Sequence, residues 1–420
     1  MRTFTIIWLG QLVSTLGSYM TFFSLTLWIW EQTGSVTALA LISFFLQLPQ
    51  IFSNLFAGLI VDRFNRKHLM LLGDAVTMLD VLTIGILHRT DHLAIWHLYV
   101  VAVIAGGFSQ IQLLAYQTSL TQIVPKDQYT RAGAMAAMLH YGANILGPAF
   151  AGMLYPTIGL SGVIAVDICT FSIAFITLAS ATIPQPNLKN PTSKTQLFRS
   201  LTFGFREVWR QPSLQCLLLI TVLFAFAHDL GGALYQPMIL ARTGGEAQLL
   251  AMVSAAAGIG GVVGAVMTTI WGGPKRRIYG MLGGFIGAGI CKLIFGLGRS
   301  VVIWLPAQVC SSLNFPVLGS CRSALWIEAI APEDQGRVFA ANSMITQIFS
   351  AIAVLSAGPL ADRFFEPAMR SDGLFANTFS PIFGSGAGSG MAMLYSSCAV
   401  AMLVVGISGF YLSQLMKIES

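Results

Sequence analysis

The chain has 420 residues, 55% of them hydrophobic and only 10% charged, with a formal charge of +6. So little charge cannot solvate the surface of a soluble domain of this length, and the composition fits a protein with many membrane spans. The positive balance does not indicate nucleic-acid binding, because the basic residues sit in short gaps between apolar runs and form no basic domain.

A spanning helix needs roughly 20 mostly apolar residues. Runs of that kind predict helices over 4–30, 37–61, 68–87, 94–116, 132–155, 160–183, 214–240, 247–271, 278–297, 301–328, 338–361 and 388–413. The first run lacks a short apolar region with a small-residue cleavage site, so it reads as a retained span. Two gaps are long. The gap at 184–213 contains "FRSLTFGFREVWRQP", which mixes Leu, Phe and Trp with Arg as a short interfacial helix does. The gap at 364–387 holds Pro, Gly and Ser and is expected to be an irregular loop. The expected architecture is therefore an all-α integral membrane protein: one six-helix bundle over 1–183, a linker over 184–213 and a second bundle over 214–420.

Twelve spans put both termini on one side. That side collects sixteen Lys and Arg residues, against five on the other (Arg89, Arg242, Arg299, Arg363 and Arg370), so both termini are expected in the cytoplasm. The halves also resemble each other: "IVPKDQYTRA" (123–132) follows span four and "IAPEDQGRVF" (330–339) follows span ten. Duplicated halves are a transporter architecture. A second similarity is off this register. "GLIVDRFNRK" (58–67) is echoed by "GPLADRF" (358–364), but 300 residues later and on the opposite side of the membrane, so the echo is expected to be a look-alike. The positional counterpart of the first stretch is "GGPKRR" (272–277), which has no acid.

Gly58, Asp62, Arg63, Arg66 and Lys67 resemble the loop signature G-x-x-x-D-R-x-x-R-[KR] of the major facilitator superfamily. More narrowly, "LWIWEQTGS" (27–35), "VDRFNRK", the two Pro-x-Asp-Gln loops and "ADRFFEPAM" (361–369) resemble its macrolide-efflux and enterobactin-exporter-like branch. The resemblance implies the major facilitator fold, two pseudo-symmetric bundles of six helices. It also implies a monomeric exporter of small amphipathic molecules in a bacterial cytoplasmic membrane, driven by proton entry and using no cofactor. The antiporter signature on span five is only partly present: "GANILGPAFAG" keeps Gly142, Gly147, Pro148 and Gly152 but not the following pair of glycines. Tyr116 and Gln117 stand where proton antiporters often carry an arginine on span four.

Helical spacing marks polar stripes. Gln11, Ser14, Thr15 and Ser18 share one face of span one, and Asp229, Gly232, Ala233 and Gln236 one face of span seven. Ser109, Gln112 and Tyr116 align on span four, and Gln308, Ser311, Ser312 and Phe315 on span ten. Such stripes are disfavoured against lipid, so they face either neighbouring helices or a wet cavity. Spans one, four, seven and ten are the cavity-lining set in the resembled fold. Trp8, Tyr19, Phe22, Phe108 and Phe315 offer apolar contact area for a drug-like ligand.

A charge at membrane depth costs ~2.5–3.5 kcal/mol on insertion scales, so an intramembrane acid is a functional candidate. Asp229 is the expected carrier of the coupling proton, with His228 modulating it and Asp80 as a second candidate. A hydrogen bond to a neighbouring helix is the plainer alternative. Asp74 and Asp167 are expected nearer the helix ends, and Lys292 is expected to snorkel. Arg322 either contacts an anionic ligand or pairs near Glu328. In the cytoplasmic loop, Asp62 is expected to face the N-terminus of span eleven as a latch, and Arg63, Arg66 and Lys67 to pair with it and with lipid phosphates.

The six cysteines lie in apolar runs without Cys-x-x-Cys spacing and read as packing residues. "GSGAGSG" (384–390) lacks the spacing and the lysine of a phosphate loop. The sparse intramembrane acids show no ligand or acid–base clustering, which argues against a membrane enzyme. An uptake carrier of the same fold is the remaining alternative.

Overall fold

The computed structural model describes residues 2–125, 128–181, 203–332, 334–370, 373–416 and 418, and among these there are helices and turns but no strand. The helices are α1 (Arg2–Thr33), α2 (Val36–Arg63), α3 (Arg66–Arg89), α4 (Ile95–Ile123) and α5 (Tyr129–Ser180). A short α6 covers 203–210. They continue as α7 (Pro212–Thr243), α8 (Ala247–Trp271), α9 (Arg277–Leu297), α10 (Val301–Glu328) and α11 (Gln335–Leu360). After a π-turn at Ala361–Phe365 come α12 (Glu366–Ala368), α13 (Ala376–Phe383), α14 (Ser389–Gly409) and α15 (Ser413–Met416). Among the described residues, 11 helices are long and apolar enough to cross a membrane.

One of them, α5, holds two crossings. Its 52 residues would extend about 78 Å at 1.5 Å per residue, more than twice the bilayer's hydrocarbon core of about 30 Å. The backbone leaves the helical region at Gly159 (φ 63°, ψ −175°), a conformation open essentially to glycine alone. The spans expected at 132–155 and 160–183 are therefore joined at one residue rather than by a loop, and the crossings among the described residues number twelve.

The chain packs into two compact units. The first comprises residues 1–33, 41–192 and 250–255. Here α1 lies against both limbs of α5. A Cβ on Gly17 would stand 2.3 Å from Thr170 Oγ1, and one on Gly147 would stand 2.4 Å from Tyr19 Cβ, so the backbones approach only because both positions are glycine. The Trp8 indole N–H donates to the Met135 carbonyl at 2.7 Å, fixing α1 to the N-terminal limb.

The second unit comprises residues 34–40, 193–249 and 256–420. Its core is built from α7, α9, α10 and α14, with Leu217, Phe285, Leu325 and Met402 fully enclosed. Gly260 and Gly264 on α8 abut the carbonyls of Val309 and Leu313 on α10. The short α6 falls within the expected linker, and in it Val208 is enclosed while Trp209 is exposed. Gly204 of α6 lies against the Arg337 carbonyl at the start of α11, and the Arg337 guanidinium sits 5.2 Å from the Phe203 ring centroid.

The gap at 364–387 is not an irregular loop. Helicity continues from α11 through the π-turn into α12, and α13 follows. Arg299 donates to the carbonyls of Pro381 and Ile382 (2.9 and 2.8 Å), and Arg242 to those of Phe383 (2.9 Å) and Gly298 (2.5 Å). Two guanidinium groups thus cap the free C-terminal carbonyls of α13. The rings of Phe365, Phe375, Phe379 and Phe383 pack in sequence along the segment.

Candidate functional site

Each unit carries its own cluster of polar groups among apolar helices. In the first, the cluster centres on Asp74 of α3, which is 2% exposed. One carboxylate oxygen accepts from the Gln112 amide on α4, and the other from the Gln11 amide on α1 at 3.3 Å. Gly73 makes room for this arrangement, since a Cβ there would stand 2.6 Å from Gln112 Oε1. Asp74 is therefore not an end-of-helix residue, as the sequence suggests, but an enclosed acid shared by three helices. Asp167 is likewise not near water: it is fully enclosed on the C-terminal limb of α5, beside Gly17 of α1. Asp80 is 8% exposed, and among the described residues its Oδ2 has no hydrogen-bond partner.

The stripe on α1 divides. Gln11 reaches Asp74, whereas the hydroxyls of Thr15 and Ser18 donate to carbonyls of their own helix, Gln11 O at 2.6 Å and Ser14 O at 3.1 Å. Ser14 is 4% exposed and shares a face with Gly10 and Gly17, both of which touch α5. In this state Ser14 is a packing residue rather than a lining one. On α4, the Tyr116 side chain packs against the buried cluster of Phe4, Trp8, Val124, Ala132 and Leu139, and its hydroxyl has no partner among the described residues.

The basic residues after α2 serve as internal staples. Arg66 donates to the Thr118 carbonyl near the end of α4 at 2.9 Å. Lys67 donates to the carbonyls of Ala179 and Ala181, both at 2.7 Å, at the end of α5. A cation at a helix C-terminus meets carbonyls that lack intrahelical partners and the negative end of the dipole. Arg66 and Lys67 thus tie the start of α3 to the ends of α4 and α5. Arg63 is exposed. The surroundings of Gly58 and the side chain of Asp62 lie outside the described residues.

In the second unit, His228 and Asp229 of α7 are half-buried. The His228 ring extends an aromatic column: Phe285 stacks on Phe224 at 3.8 Å, and His228 lies 6.2 Å from Phe224 and 4.7 Å from Phe315 of α10. Its Nδ1 is enclosed without a partner among the described residues. Beside this column is Lys292 of α9. It does not snorkel: it is 7% exposed, and its ammonium lies 5.4 Å from the Tyr395 ring centroid on α14. Asp229 lies within electrostatic reach of Lys292 and near Ser350 of α11. Gln236 donates to the Tyr235 hydroxyl at 3.1 Å, and Ser311 is 2% exposed. Glu328 is engaged by Arg277 at 2.6 Å, so the alternative that pairs Arg322 with it falls away, and Arg322 stays half-buried on α10.

Two residues that the sequence places elsewhere, Lys292 and Asp74, thus belong to these arrangements. A signal for Lys292 existed in the spacing. The enclosed residues of α9 include Ile278, Met281, Phe285, Ala288, Lys292 and Phe295, one inward stripe that contains the lysine. Asp74 had a weaker signal in the preceding glycine.

A family model described as Major Facilitator Superfamily matches residues 7–354. Macrolide efflux protein A of Streptococcus pyogenes is 26% identical over 362 residues, covering 86% of this chain and 89% of that protein. The multidrug efflux pump Tap of Mycobacterium tuberculosis is 23% identical over 340 residues, covering 79% and 80%. Among solved structures, a bacterial homologue of the human lysosomal transporter Spinster, inward-facing and occupied, aligns with a TM-score of 0.73 at 15% identity over 99% of this chain and 97% of that one. A bacterial homologue of the iron transporter ferroportin aligns with a TM-score of 0.70 at 14% identity over 100% and 99%.

Proposed function

The chain belongs to the major facilitator superfamily, and from that premise we propose that it exports small amphipathic molecules by proton antiport with alternating access. A transporter of this family moves small molecules across a membrane. The export direction and the drug-like substrate class are supported by the relatives named for macrolide and multidrug efflux. The observation that carries the coupling is the ionisable cluster of Asp229 and Lys292 among apolar helices. A charge at this depth costs ~2.5–3.5 kcal/mol on insertion scales, which a purely structural role leaves uncompensated.

In this reading Asp229 takes up the proton and Lys292 is its counter-charge. His228 acts through the aromatic column that sets the position of α7 against α10. Asp74 with Gln11 and Gln112 forms a second polar node, and Asp80 is a further acid available for protonation. Thr15, Ser18, Tyr116, Gln236, Phe315 and Arg322 supply substrate contacts, and Ser14 and Ser311 join them only if their helices part. Gly58, Asp62 and Arg63 gate the cytoplasmic side, where Arg66 and Lys67 hold α3 in place. The protein resides as a monomer in a bacterial cytoplasmic membrane with both termini inside.

The driving force suffices: one charge crossing 100 mV is worth about 2.3 kcal/mol, a gradient of roughly fifty-fold at about 1.4 kcal/mol per decade. The test is efflux of a panel of macrolides and cationic dyes from cells expressing the protein, with and without an uncoupler. Uncoupler-sensitive efflux that loses its pH dependence in Asp229→Asn is the expected result. Unchanged pH dependence in that variant would end the assignment of Asp229, and accumulation that the uncoupler abolishes would reverse the direction.

A further inference from the structure

The first turn of α2 is held by a carboxylate from more than 300 residues away in the sequence. Asp362 Oδ2 accepts from the Ser35 hydroxyl (2.7 Å), the Thr37 hydroxyl (2.7 Å) and the Thr37 N–H (2.9 Å), while Oδ1 accepts from the Val36 N–H (3.1 Å). The first N–H groups of a helix have no acceptor within it, and its N-terminus carries about half a positive charge. Asp362 satisfies both needs from outside the helix. The fit is close: a Cβ on Gly358, one turn before Asp362, would stand 2.4 Å from Thr37 Cα.

The membership of α2 gives this cap its meaning. Gly34–Ala40 belong to the second unit, but from Leu41 onward the same helix belongs to the first. There Gln50 donates to the Ser109 hydroxyl at 3.3 Å and Ser53 to the Gly107 carbonyl at 2.9 Å, both on α4. A single helix thus begins in one unit and has its body in the other. No rearrangement of the two units can carry the whole of α2 with the first unit unless the Asp362 cap breaks.

We propose that Asp362 is a conformational latch, bonded to the first turn of α2 in this state and released when α2 leaves with the first unit during the transport cycle. The sequence echo then has a physical basis. Gly58 and Asp62 near the end of α2 share the Gly-x-x-x-Asp-Arg spacing of Gly358 and Asp362 at the end of α11. In the second copy the glycine admits the partner helix and the acid caps it. The π-turn at Ala361–Phe365 is where Asp362 sits, and such insertions recur at functional positions in helices. The latch does not depend on which molecule is carried or in which direction.

The test uses the full chain with its native cysteines replaced and Val36→Cys introduced. Val36 is fully enclosed and gives the latch only its backbone N–H, so the probe spares the bonds. Asp362→Ala is expected to raise the maleimide labelling rate at position 36 at least about five-fold and to cut efflux per molecule. Asp362→Asn, which keeps an acceptor oxygen, is expected to fall between. If Asp362→Ala does not fold, Gly358→Ala, which wedges Thr37 away and leaves the carboxylate intact, is expected to raise labelling in the same way. Unchanged labelling in the folded variants, or a lowered melting temperature with wild-type labelling and efflux, would reduce Asp362 to a static helix cap and overturn the latch.

Discussion

At the scale of residues, the enclosed polar groups behave as coupled sets. Gly73→Ala inserts a methyl 2.6 Å from Gln112 Oε1 and 2.9 Å from its Cβ, so Gln112 must move and give up Asp74. Overpacking of this kind costs about 1–3 kcal/mol, and the variant is expected to melt several degrees below the wild type in detergent. Lys292 and Asp229 should also prove non-additive. Lys292→Met leaves the acid without its neighbouring cation, and Asp229→Asn leaves the lysine without its anion. The double variant removes both charges and is expected to be more thermostable than either single one. Strict additivity of the melting shifts would show that the two groups do not act on each other. The burial of Asp229 among apolar helices follows its sequence setting, an acid inside an apolar run. Lys292 was misread because length and charge favour snorkelling, while the decisive fact is that it shares a helical face with Phe285, Gly289 and Phe295.

At the scale of elements, helix ends are held by side chains supplied from elsewhere. Lys67→Ala frees the carbonyls of Ala179 and Ala181, an effect of about 0.3–1 kcal/mol for an exposed cap. Its expected outcome is a lower melting temperature with efflux per folded molecule unchanged. A loss of efflux without a stability change would return Lys67 to the gate. Arg299→Ala should loosen α13, read as faster proteolytic cleavage within residues 370–388. The long helices were legible to within a few residues because apolar length alone specifies them; 247–271 and 301–328 coincide with the structure. By contrast, α13 has 8 residues and two flanking glycines. Helices this short owe their stability to tertiary contacts, here two arginines and a run of phenylalanines that no local pattern announces.

At the scale of the whole molecule, the bond from Asp362 to Ser35 places the end of α11 beside the start of α2. With α1 crossing once, that end lies on the face opposite the N-terminus, as an even number of crossings requires. A cysteine at Arg370 should therefore react with an impermeant thiol reagent in intact cells, whereas one at Lys275 should react only after permeabilisation. Equal reactivity at both would undo the proposed orientation. The number of crossings was legible from hydropathy. The sharing of α2 between the two units was not, because it depends on contacts between segments more than 300 residues apart in the sequence.

The single-glycine reversal in α5 bears on how the chain is made. Two crossings that meet at Gly159 offer the membrane-insertion machinery one preformed hairpin rather than two segments with slack between them. An epitope tag or a circular-permutation break at 158–160, a site between two spans where such changes are ordinarily harmless, is expected here to leave the protein uninserted and degraded.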